Sequence, residues 1–167
     1  LDFSGHIAVE EGNVSVAGPK EGRISAKIQT ARLNWNWRAD HMDGDLLVTL
    51  ADYGQAQGKF QIPVAARLPI RFDPELALSA TLSCRLKEQG LLGTIFSGMV
   101  QESQGNLSLD AGLAGTFASP KLSGALELTH VGGYFPAAGI QIKDAMLKGR
   151  FTQDRFVIET LSLPSGD

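Results

Sequence analysis

One recurring phrase constrains this chain more than anything else in it: a glycine, then apolar residues at every second place. Gly5 leads to Ile7 and Val9, Gly22 to Ile24, Ala26 and Ile28, and Gly44 to Leu46, Val48 and Leu50. Gly58 leads to Phe60, Ile62 and Val64, Gly105 to Leu107, Leu109 and Ala111, Gly124 to Leu126 and Leu128, and Gly149 to Phe151. A period of two gives each strand one apolar and one polar face. The glycine at the head of each phrase is expected to supply the turn or bulge that reverses the chain.

Other stretches alternate without a leading glycine. They are Leu33, Trp35 and Trp37; Leu68, Ile70 and Phe72; and the run Leu76, Leu78, Ala80, Leu82, Cys84 and Leu86. Leu113 and Phe117 continue the strand after Ala111, Ile140 and Ile142 follow Gly139, and Phe156, Ile158, Leu161 and Leu163 close the chain. The pattern predicts roughly a dozen strands of about 5–8 residues, joined by short turns. Short turns favour antiparallel pairing between sequence neighbours. The repeats are too irregular for a fixed-period array.

One segment departs from the period of two. In GLLGTIFSGMVQE the apolar residues Leu91, Leu92, Ile95, Phe96, Met99 and Val100 fall at helical spacing. This predicts a short helix over about 91–101, weakened by Gly93 and Gly98. A second turn of helix is expected near Gly133-Tyr134-Phe135-Pro136.

A sheet of a dozen strands with one apolar face must hide that face, and one short helix covers only a few strands. Three arrangements satisfy the same alternation: a sandwich of two sheets, a closed barrel, or a trough lined with apolar side chains. The trough's lining would come from Ile24, Ile28, Trp35, Leu46, Val48, Leu50, Phe60, Ile62, Leu78, Leu82, Leu86, Leu107, Leu109, Leu126, Leu128, Ile140, Ile142 and Phe151. Pro63 and Pro69 cannot donate to a ladder, which places their segment at an edge or a bend.

Composition removes several classes of function. The 167 residues suit one domain and carry a net charge of -3, with 15 basic and 18 acidic side chains. No basic excess exists to neutralise a phosphate backbone, so nucleic acid is not the expected partner. No apolar run is long enough to span a bilayer as a helix. A single cysteine, Cys84, excludes an internal disulfide framework and a multi-cysteine metal site. It falls on the apolar side of its strand and reads as a packed thiol. The chain opens and stops in mid-pattern, without an initiator Met, and is expected to be one segment, 1–167, of a longer protein.

No catalytic residue and no cofactor is indicated. There is no G-x-S-x-G, no G-x-x-x-x-G-K-[ST] and no G-x-G-x-x-G. His41, Asp43 and Asp45 alternate beside Asp40, but Asp43-Gly44 is a turn signature, so a solvated turn is expected rather than a metal site. His6 and His130 read as ordinary strand residues. Trp35 and Trp37 share a face, where packing is a more common use of indole than a ligand platform.

The stretch GNLSLDAGLAGTFASPKLSGALELTHVGGYFPAAGIQIKDAMLKGRF, residues 105–151, together with LNWNW and DYGQAQGKFQIPV, resembles the large C-terminal periplasmic domain of the TamB family. The wider relatives are the AsmA-like, bridge-like lipid-transfer proteins. The resemblance implies an all-β fold: a long antiparallel sheet curled into an open "β-taco" groove with an apolar interior. It implies a protein anchored in the bacterial inner membrane and crossing the periplasm to a TamA-type outer-membrane barrel protein, the two forming the translocation and assembly module. The activities implied are non-enzymatic: movement of phospholipid towards the outer membrane, and assembly or secretion of outer-membrane proteins such as autotransporters.

Overall fold

The alternation becomes a single ladder of hairpins. The computed structural model describes residues 2–17, 23–67, 70, 73–89, 99–153 and 155–164, and at residues 16, 17, 23, 24 and 89 it describes the backbone only. Among the described residues there are nine strands and no helix: β1 (Phe3–Ala17), β2 (Arg23–Trp37), β3 (Met42–Leu50), β4 (Gly54–Ile62), β5 (Ser79–Gln89), β6 (Gln101–Gly115), β7 (Pro120–Phe135), β8 (Ile140–Thr152) and β9 (Arg155–Ser162). They form one sheet in sequence order, every neighbouring pair antiparallel. β1 and β9 are its edges, so the sheet is open and not a barrel.

The strands are fewer and longer than the alternation suggests, because most of the glycines that head the phrases lie inside strands. Gly5, Gly44, Gly58, Gly105, Gly124 and Gly149 are all strand residues. Asp43-Gly44 is accordingly not a turn; it pairs with Asn36 and Trp35 on one side and with Gln61 and Phe60 on the other. The turn before β3 is closed instead by the Arg38 amide donating to the His41 carbonyl at 2.8 Å. Gly44 is required there by close approach, since a Cβ would strike the Asn34 carbonyl oxygen and the Phe60 ring. The same logic holds at Gly5 beneath the Trp35 indole and at Gly149 beneath the Phe156 ring.

Several other expectations change. Gly133, Tyr134 and Phe135 end β7, and the helical turn expected there is a four-residue reversal at 136–139. Phe117 lies in the β6–β7 turn and Leu76 in the turn before β5. Ile70 is not in a strand, and Leu68 and Phe72 lie outside the described residues. Pro63 follows β4, an inner strand, so it marks a bend and not an edge; Pro69 is outside the described residues. Most of the helix expected over 91–101 also lies outside them. Its last residues are a turn at Met99, an irregular Val100 and the first residue of β6, Gln101.

Bulges keep the apolar side chains on one face. In β7 the apolar positions are even from Leu122 to Leu128 and odd from Val131 to Phe135. His130, with φ 53, absorbs the extra residue. Asp144 in β8 (φ 57), Glu102 in β6 (φ 52) and Glu11 in β1 (φ 57) also occupy the left-handed region. The register breaks at the β6–β7 and β7–β8 shifts lie beside these residues. Each is polar and exposed, where a bulge costs little packing.

Among the described residues no conventional core forms. Leu78, Cys84, Ala26, Ala66 and Ala145 are the buried apolar residues there, and no large side chain among them is fully enclosed. The surface exposed is 11114 Å², against roughly 8,000 Å² for a compact monomer of this mass. Each strand packs closely only on its sequence neighbours. The described strands all belong to this one sheet, and no second sheet faces it among the described residues.

Candidate functional site: an uncovered apolar face

The pairing registers connect into rows that cross the whole sheet. One row runs Ile7, Leu33, Leu46, Gly58, Leu82, Ala111, Gly124, Phe151, Phe156. The next runs Val9, Ala31, Val48, Ala56, Cys84, Leu109, Leu126, Gly149, Ile158. A third runs Gly12, Ile28, Leu50, Gly54, Leu86, Leu107, Leu128, Leu147, Leu161. Three rows of nine residues therefore contain no polar side chain. Cross-strand partners on one face lie within about 5.5 Å of each other, so the rows form one continuous apolar surface.

Nearly every residue expected in the lining lies on this surface. Ile28, Leu46, Val48, Leu50, Leu82, Leu86, Leu107, Leu109, Leu126, Leu128 and Phe151 belong to the three rows. Trp35 and Phe60 flank Gly44 one step along, and Ile62 pairs with Met42 beyond them. Leu78, buried, donates its amide to the Gly115 carbonyl at 2.8 Å, just before β5. Ile140 and Ile142 pair with Phe135 and Gly133 at the far end of β7 and β8. Ile24 pairs with Val16, and its side chain is outside the described residues. Sequence spacing missed Ile7, Val9 and Leu33 as members, although they alternate as clearly as the rest. It also missed Val131 and Leu147, whose places depend on bulges that break the period.

The face is open to solvent. Ile7 is 54 % exposed, Leu46 37 %, Leu82 40 % and Leu161 56 %. Those values are high for the apolar side of a folded sheet.

The opposite face is a polar ladder. Asp110 takes a two-pronged contact from Arg85, 2.6 Å at Nη2 and 3.2 Å at Nη1. Lys148 meets Glu127 at 2.8 Å, Arg150 meets Glu159 at 3.0 Å, and Asn34 donates to Asp45 at 2.9 Å. The Asp110 carboxyl is held below the usual carboxylate range by hydrogen bonds from Arg85 and Ser83, and Arg85 is raised in turn. A hollow of about 730 Å³ is lined by Asp45, Lys59, Thr81, Ser83, Asp110 and Ser123 of this face together with Leu46, Leu47 and Leu82. Its carboxylates and ammonium group make it a poor path for hydrocarbon.

Trp35 and Trp37 serve packing. Trp35 covers Gly5, while Trp37 lies 6.2 Å from the Phe3 ring and donates its indole N–H to the Val64 carbonyl at 2.7 Å. His41 bridges Asp40 (2.7 Å from Nδ1) and Asp43 (3.3 Å from Nε2). The longer contact is an ion-pair distance without hydrogen-bond geometry, since Asp43 Oδ1 is buried with no hydrogen-bond partner. The His41 contact holds the Asp40 carboxyl low. Among the described residues no group of three or more His, Cys, Asp or Glu side chains is arranged to hold a metal ion. No helix of the described residues is long and apolar enough to cross a membrane. No family model, no curated protein and no solved structure matches the chain.

Proposed function

We propose that this chain is a non-enzymatic conduit segment whose uncovered face carries phospholipid acyl chains. The observation that carries the reading is the set of three unbroken apolar rows on a sheet that nothing in the described residues covers. Burying a hydrocarbon chain on such a face gains roughly 0.8 kcal/mol per CH₂. No specific bond is needed, so a chain can pass from row to row without a deep trap. Head groups would remain in water at the open rim.

In this reading the chain is an interior piece of a TamB-type protein. That protein would be anchored in the inner membrane, would cross the periplasm, and would meet a TamA-type barrel protein at the outer membrane. The support is the sequence resemblance, together with an open all-β sheet of the kind it implies.

A second reading has an observation of its own. The outer edges of β1 and β9 are unpaired among the strands described, and such edges can add a strand of another polypeptide. The chain would then be a chaperone-like scaffold for β-rich outer-membrane client proteins.

Photo-crosslinking residues at Leu46 and Leu82 in the full-length protein separate the two. Phospholipid adducts at both positions support the conduit. Adducts with client polypeptide and none with lipid support the scaffold and end the conduit reading.

A further inference from the structure

We propose that the apolar face contains one discrete binding pit, at the far end of β7, β8 and β9, for the terminal stretch of a single alkyl chain; this rests on the conduit reading and assigns its first fixed station. A half-enclosed hollow of about 190 Å³ lies there, walled by Val131, Phe135, Ala145, Leu147, Leu161 and Leu163. Its size exceeds the roughly 150 Å³ of apolar cavities that stay dry and accept small hydrocarbons. At the ~30 Å³ that a water occupies in the liquid, it has room for roughly half a dozen methylene-sized groups, enough for one chain end and too little for two.

The pit is built by the bulges. His130 and Asp144, both left-handed, sit at the register break between β7 and β8, and β8–β9 shifts between Lys148 and Gly149. Bulges add bend and twist to a strand, and these three fall together beside the pit. Gly132 is buried in its wall and presents no side chain. Val100, another wall residue, lies over the neighbouring Gly133, with Cγ1 3.1 Å from where a Cβ would stand.

The lining selects the occupant. Its side chains carry no nitrogen or oxygen atom, and its walls include two paired positions of the sheet, Val131 with Ala145 and Leu147 with Leu161. A polypeptide strand entering the pit would leave its own N–H and C=O groups unpaired, and a head group would lose its water. A hydrocarbon tail loses nothing.

The test is titration of methyl-labelled protein with sodium decanoate below its micellar concentration, followed by methyl NMR. Saturable shifts at Val131, Leu147 and Leu161 are expected. Ala145→Leu, which fills the pit, should abolish them. Leu161→Trp, at the exposed rim, should weaken binding at least threefold should Ala145→Leu fail to fold. Saturable shifts confined to Leu46 and Leu82 would overturn the pit and leave the conduit standing. Shifts nowhere would overturn both. Shifts at the pit that persist unchanged in a folded Ala145→Leu variant would also overturn it.

Discussion

Trp35 stands directly over Gly5, its antiparallel partner on the edge strand, so that a Cβ at residue 5 would fall inside the indole. Gly44 repeats the relationship two strands further on, beneath Phe60 and against the Asn34 carbonyl oxygen. The cost of a methyl group differs between the two. At Gly5 the ring can swing towards open solvent, whereas at Gly44 one clashing partner is backbone. Gly44→Ala is therefore expected to destabilise by roughly 1–3 kcal/mol, as overpacking does, and Gly5→Ala by less. Urea unfolding followed by Trp fluorescence measures both, and an equal or reversed order would contradict the packing described.

A charge placed in the rows should block hydrocarbon without harming the sheet. Leu82, 40 % exposed, and Ile140, 54 % exposed, can accept Leu82→Arg and Ile140→Glu with stability changed by no more than about 1 kcal/mol. Phospholipid transfer by the full-length protein should fall by roughly tenfold or more, the effect of about 1.4 kcal/mol on the path. Thr81→Arg, on the polar face, is the control and should transfer normally.

The pairing of Arg85 with Asp110 sets a direction for acid sensitivity. The folded-state pKa of Asp110 lies below its ordinary 3.8 because Arg85 and Ser83 hydrogen-bond the carboxylate. A depressed folded pKa stabilises above the unfolded value, and that contribution is lost as pH falls through the folded value. The urea midpoint should be flat from neutral pH down to about 5 and should decline below about 4. Asp110→Asn should remove part of that decline. Both groups are exposed, so the slope is shallow and should diminish further at high salt.

Cys84 is buried in the middle apolar row, and burial pushes its thiol above the ordinary value. Its alkylation by iodoacetamide at pH 8 should be slow in the folded protein and should become rapid in 6 M urea. Fast native labelling would mean that Cys84 is not shielded within its row, between Ala56 and Leu109.

The all-β class and the one-sided pattern were legible because a period of two holds over the stretches between bulges. The strand count was not. A glycine reads as a turn, yet Gly5, Gly44 and Gly149 are small because a neighbour's aromatic ring lies above them. The wall of the pit was hidden for a related reason, since the step from Leu128 to Val131 breaks the period and only the bulge at His130 restores the face. Whether the sheet closes was not legible at all. A sandwich, a barrel and an open sheet impose the same alternation, and the choice rests on what the edge strands β1 and β9 meet.

The central claim is that the native sheet presents bare hydrocarbon to its surroundings. Titration of the folded protein with an apolar-surface dye such as anilinonaphthalene sulfonate tests it most directly. The account predicts strong, saturable fluorescence under native conditions, lowered by Leu82→Arg and lost on unfolding in urea. Weak fluorescence from the folded chain that rises only as it unfolds would mean the rows are covered, and the conduit would have no surface on which to work.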